Sequence, residues 1–177
     1  LALGERNREL SDRNLQLESE LEVLRNELAR LKHDSTYTER ALASRLQKHP
    51  TLPARVVYNS ITMRDNYLTI NKGRKDGVEP KMGVVCGTGV VGIVSQVTDH
   101  YALVMSVLNS KSSISCRLRG NNYFGYLHWQ GGNVLTATLD DVPRHANFKV
   151  GDAVETSGFS NVFPPGIFVG RVLHIRD

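Results

Sequence analysis

The sequence predicts a mainly β protein on an N-terminal α-helical coiled coil, its β part folded as two small antiparallel β-barrels. Three observations predict it. Leucines recur every seven residues through the first thirty-odd positions. Glycine and proline usage changes abruptly near residue 50. Beyond that point, short runs rich in Val, Ile, Thr and Tyr alternate with turn signals.

The helical element comes first. Leu3, Leu10, Leu17, Leu24 and Leu31 are spaced by seven, and Asn7, Asn14, Leu21 and Leu28 follow four residues after the first four leucines. A step of four and then three sets the leucines at d positions and the second group at a positions of a heptad. The g positions Arg13, Glu20 and Glu27 precede the e positions Glu18, Arg25 and Lys32 by five, each pair opposite in sign. Such pairs face each other in a parallel, in-register dimer. The predicted self-association residues are Leu10, Asn14, Leu17, Leu21, Leu24, Leu28 and Leu31. The bland alternative is one amphipathic helix packed on its own globular domain. Against it, a helix continuous through residue 34 is about 50 Å long, too long for a small β domain to cover. Residues 35–48 break the leucine spacing but still read as helix, with Leu42 and Leu46 one turn apart.

The expected division is a coiled-coil helix over 1–48, a linker over 49–53 and a β segment from 54. Before Pro50 there is no Pro and only Gly4; after it come fourteen Gly and five Pro. Pro50 and Pro53 stiffen the linker. Expected strands are 54–61, 66–71, 83–86, 89–97, 101–108, 112–118, 123–129, 133–140, 152–157 and 167–173. Turn signals separate them, and the spacing leaves no room for crossover helices, so pairing is antiparallel. Gly73 and Gly77 sit where tight turns need positive φ, and Pro165-Gly166 suits the centre of a type II turn.

Composition excludes several classes. The chain has 177 residues, 40% hydrophobic and 23% charged, which rules out wholesale disorder. No run approaches the ~18 apolar residues of a membrane-spanning helix. The chain starts at Leu1, already inside the heptad, and reads as part of a longer protein. The net charge of +4 lies entirely in 54–177, because 1–53 holds nine Lys/Arg and nine Asp/Glu. The nearest approach to a basic stripe is Lys72, Arg74, Lys75 and Lys81, interrupted by Asp76 and Glu79, which fits a solvated turn and not a nucleic-acid face. Cys86 and Cys116 are either buried thiols or one disulfide in an oxidising compartment.

The search for chemistry is mostly negative. There is no G-x-S-x-G, H-E-x-x-H, phosphate-binding glycine loop or C-x-x-C, and the six histidines have no metal-ligand spacing. Ser157 lies in Glu-Thr-Ser-Gly-Phe and fits a strand end better than a nucleophile. Asp140-Asp141 fits a turn better than an acid/base pair. No catalytic residue, metal or cofactor is expected.

Three stretches matter together: LTINKGRKDGVEPKMGVV at 68–85, GVVGIVSQV at 89–97 and VETSGFSNVFPPGIFVGRV at 154–172. In this order, after a coiled coil, they resemble the bacterial rod shape-determining MreC family, the last stretch being the most specific. Ser160-Asn161 stands where that family tends to have glycine, and Phe168 where proline is frequent. The resemblance implies a non-catalytic scaffold of the cell-elongation machinery. It implies a periplasmic or extracytoplasmic location, anchored to the membrane by an upstream helix. Its barrels are similar to trypsin-like barrels without the triad. The partners implied are further copies of itself, a class B penicillin-binding transpeptidase and MreD, and through them the rest of the elongation complex. The resemblance also implies an inserted barrel at 84–148, with 54–83 and 149–177 forming the first. Phe159, Val162, Phe163 and Phe168 flank one turn, as barrel core or as a partner-binding patch. The alternative function is a generic β-barrel binding module on a dimeric stalk, for polyanions or other proteins.

Overall fold

The computed structural model describes Arg6 and residues 13–14, 16–26, 40, 42–44, 46–87, 89–121, 123–143 and 145–175. The chain divides into two compact units, 1–38 and 39–177.

In the first unit Arg6, residues 13–14 and residues 16–26 are helical. Leu17, Leu21 and Leu24 stand half exposed or more, and their spacing puts them on one helix face. Asn14 is exposed. Gln16 Nε2 donates to Glu20 Oε1 at 3.3 Å, one turn on. Leu10, Leu28 and Leu31, with the charges at Glu27 and Lys32, lie outside the described residues.

The second unit opens with helical residues at 40, 42–44 and 46. This short helix belongs to the β unit, although the sequence reading assigned it to the stalk. Leu42 is 6% exposed and sits in the core, with Leu46 packed against the same cluster. Two leucines one turn apart make a narrow apolar stripe, and the sheets cover it.

Ten strands follow among the described residues: β1 (Val56–Asn59), β2 (Asp65–Ile70), β3 (Gly83–Cys86), β4 (Gly89–Val97), β5 (Ala102–Asn109), β6 (Ile114–Leu118), β7 (Phe124–His128), β8 (Thr138–Asp140), β9 (Ala153–Thr156) and β10 (Phe168–Arg171). The main departure from expectation is 133–140. Its first half is a turn, where Leu135 N–H donates to Asn133 Oδ1 and Trp129 Nε1 donates to Asn133 O at 2.9 Å each. The asparagine side chain gives the backbone a local partner in place of a ladder.

The strands form two antiparallel sheets, ordered β1-β2-β5-β4-β3 and β10-β9-β6-β7-β8. Pairing is therefore sequential: 56–109 build the first sheet and 114–171 the second. The expected nesting, with 54–83 joined to 149–177 around 84–148, is not the grouping the hydrogen bonds follow. Hairpin neighbours pair first, β3 with β4 and β6 with β7, as short connections favour. Neither order closes on itself, so these are open, curled sheets where closed barrels were expected. All four pairings of the first sheet carry a register shift, and bulges of this kind bend and twist a sheet.

Each sheet has a core. Leu68, Ile70, Val78, Val94, Ala102 and Val104 fill the first. The second gathers Leu42, Ile114, Cys116, Leu118, Val154, Phe163 and Ile167, with Val85, Val90 and Ile93 of the first sheet packed against it. Gly77 has the expected positive φ of 87°. Gly73 is extended at φ −138°. Space decides there, since a Cβ would stand 2.6 Å from the Asp99 backbone.

Candidate protein-docking face

Strand alternation gives the second sheet two unlike faces. Ile114, Cys116 and Leu118 of β6 point into the core, so Ser115 and Arg117 point out. Residues directly opposite in an antiparallel pair share a face. Arg117 lies opposite Phe124 on β7 and Glu155 on β9, and Glu155 lies opposite Phe168 on β10. Phe124, Arg117, Glu155 and Phe168 thus form one row across four strands. Tyr126 lies opposite Ser115 in the next row.

Glu155 is only 2% exposed. Its Oε1 accepts from Arg117 Nε at 3.0 Å and Nη2 at 2.9 Å, and its Oε2 accepts from Arg119 Nε at 2.9 Å. Burial pushes its pKa up, but the hydrogen bonds from Arg119 and Arg117 outweigh this and hold the carboxyl below the ordinary glutamate value. Two guanidiniums surround one carboxylate, leaving a net positive charge on half-exposed side chains.

The four apolar residues singled out in the sequence split up. Phe163 is 4% exposed and belongs to the core. Val162 is partly buried and packs on that core. Phe168 is half-buried, with the Arg171 guanidinium 6.0 Å from its ring centre. Phe159 is 70% exposed. Its ring centre lies 4.7 Å from that of Phe124, which is itself exposed.

Two sets of hydrogen bonds fix the segment that carries Phe159. Ser157 Oγ accepts from Phe159 N–H at 3.2 Å and shares a 2.7 Å hydrogen bond with Ser115 Oγ. Thr156 Oγ1 donates to Pro164 O at 2.6 Å and accepts from Ile167 N–H at 2.9 Å. Gly166 N–H donates to Thr156 O, and Thr156 N–H to Ile167 O, each at 2.8 Å. Gly166 takes φ 88°, the left-handed position a type II turn requires.

Sequence reasoning missed Phe124, Tyr126, Arg117, Arg119 and Glu155. The signal was there: in Ser-Cys-Arg-Leu-Arg at 115–119 and Phe-Gly-Tyr at 124–126, polar or aromatic residues alternate with small or apolar ones. It gains meaning only when the register sets the two strands side by side.

Other candidates resolve simply. The hydroxyl of Ser157 is occupied by Ser115 and the Phe159 amide. Cys86 is exposed and Cys116 is a buried thiol; burial pushes the Cys116 pKa up to about 12. Lys72 pairs with Asp76 at 2.8 Å across the turn, while Arg74 and Lys75 lie 3.9 and 3.7 Å from Asp99. Asp140 ends β8, and Asp141 has φ 63° in the turn beyond it. Among the described residues no group of His, Cys, Asp or Glu is placed to hold a metal ion.

Comparison with known proteins agrees with this architecture. The family model of the rod shape-determining protein MreC, barrel core, matches residues 56–177. The cell shape-determining protein MreC of Listeria monocytogenes is 32% identical over 173 residues, covering 96% of this chain and 56% of the relative. The chain thus spans about half the length of that curated relative. The crystal structure of MreC from Pseudomonas aeruginosa is 26% identical with a TM-score of 0.63, covering 70% of this chain and 79% of that one. A structure of the complex between penicillin-binding protein PBP2 and MreC from Helicobacter pylori is similar at a TM-score of 0.56. It is 22% identical and covers 71% of this chain and 78% of that one. At that identity the likeness speaks for the fold alone. With the family model covering the whole β segment, the chain belongs to the MreC family of rod shape-determining proteins.

Proposed function

We propose that this chain is a non-catalytic scaffold of the cell-elongation machinery. It self-associates through the heptad face of its first unit and docks a class B penicillin-binding transpeptidase on the outer face of the second sheet. It works on the periplasmic or extracytoplasmic side, held at the membrane by a helix upstream of Leu1, and meets MreD and the remaining components there. The observation that carries the docking reading is the exposed Phe159–Phe124 pair, two large rings in contact with each other on a face where every other large apolar side chain of the 157–168 segment is at least partly buried. Exposed aromatic clusters of this kind mark protein contacts. The Helicobacter pylori complex supports the choice of partner, because there a family member sits with a penicillin-binding protein. The test is binding of the purified chain to the transpeptidase's extracytoplasmic region. Phe159→Ala and Phe124→Ala should leave the melting curve unchanged and weaken binding; unaltered binding by both overturns the reading.

A further inference from the structure

The same face carries an electrostatic feature that aromatic contact leaves unused. Arg117 gives Nε and Nη2 to Glu155, and Arg119 gives Nε. A guanidinium has five N–H donors, so further donors remain on both arginines, whose side chains are 32% and 43% exposed. Glu155 is buried beneath them and its two oxygens are taken. It therefore fixes the guanidinium planes and cancels only one of two charges. Phe124 stands directly opposite Arg117, so the donors open beside the aromatic pair.

From this juxtaposition we infer that the face recognises a protein segment presenting a carboxylate side chain next to an apolar one. The apolar side chain packs against the outer surface of the Phe159–Phe124 pair, and the carboxylate bonds to Arg119 and Arg117. The inference rests on the docking reading above and adds the chemistry of the bound segment. Fixed guanidiniums suit a planar carboxylate, because the fork is already oriented and little side-chain order is lost on binding. A polyanion fits less well. It has no use for the aromatic pair, and this cluster offers it a net charge of only one.

The experiment uses the full chain and the transpeptidase's extracytoplasmic region, with Kd measured at about 50 mM and about 300 mM salt. Arg119→Glu should raise Kd about tenfold or more at low salt, and should remove most of the salt dependence. Because Arg119 also bonds Glu155, each variant's melting curve is recorded. Arg119→Lys keeps the charge but loses the fork, and should fall between wild type and Arg119→Glu. If Phe159→Ala weakens binding while Arg119→Glu and salt leave it unchanged, the docking reading stands and the carboxylate inference is overturned. If wild type fails to bind, both fall. If a heparin probe competes fully and Phe159→Ala has no effect, the face is a polyanion site and the inference is overturned.

Discussion

The Phe163 ring lies against the backbone of Gly83, so that a Cβ at position 83 would stand 2.6 Å from Phe163 Cδ1 and 2.7 Å from Val162 O. Strand β3 of the first sheet is thereby keyed to the core of the second. Gly83→Ala should destabilise the β unit by about 1–3 kcal/mol through overpacking. Thermal unfolding checks this, and a wild-type melting temperature would mean that the ring moves aside freely.

The two phenylalanines that precede Pro164-Pro165, four residues apart, should behave as opposites. Phe163→Ala empties a core site and should cost about 3–5 kcal/mol. Phe159→Ala removes an exposed ring and should change stability by within about 0.5 kcal/mol. Equal losses in denaturant unfolding would contradict the burial described here.

Leu42 ties the preceding helix to the sheets. Leu42→Ala should cost about 2–5 kcal/mol. A chain of residues 39–177 should accordingly unfold at a higher temperature than one of 50–177, which lacks both Leu42 and Leu46. Identical melting curves would show that the helix adds nothing to the β unit.

The Glu155 carboxyl is held below its ordinary value in the folded state. Its contribution to stability is therefore whole above the ordinary glutamate pKa and is lost as pH falls through the lowered one. Wild type should lose stability on acidification across that range. Glu155→Gln should start lower, by on the order of 2 kcal/mol at neutral pH, and lose less on acidification. Parallel pH profiles from denaturant titrations would show that the arginine clamp is not the titrating element.

The heptad makes a geometric prediction. In a parallel, in-register dimer a d residue meets its own copy, so Leu24→Cys and Leu31→Cys should each give symmetric disulfides in concentrated protein, and Glu22→Cys none. Mixed Leu3–Leu31 links between singly substituted chains would mean antiparallel strands.

Much of the fold was legible in the residues. Strands β3 and β4 were read to the residue, because Gly-Thr-Gly and alternating valines bound them on both sides. The sheet grouping was not legible. Turn signals mark where strands end but carry no information about which distant strand lies alongside, and the expected nesting came from the resemblance. Leu42 was misassigned for a related reason: a leucine pair one turn apart reads the same whether a second helix or a sheet covers it. In the candidate site, Phe159 and Phe163 look alike in sequence. The turn at Asn161–Val162 lies between them, and one ring ends outward while the other enters the core. Arg117 and Glu155, 38 residues apart, become neighbours through the β6–β9 register alone.

The double tie at Thr156 has a consequence for how Phe159 meets anything. Its backbone and hydroxyl bind Pro164, Gly166 and Ile167, so the ten residues from 157 to 166 leave and rejoin the sheet at nearly one point. A loop sewn shut at its neck has already given up most of its backbone freedom during folding. What remains to be ordered on contact is chiefly the ring's own rotation, on the order of 1 kcal/mol. Loosening the neck with Thr156→Val would leave the aromatic side chains chemically intact. The complex would still weaken, because each encounter would then have to fix the loop as well as the ring.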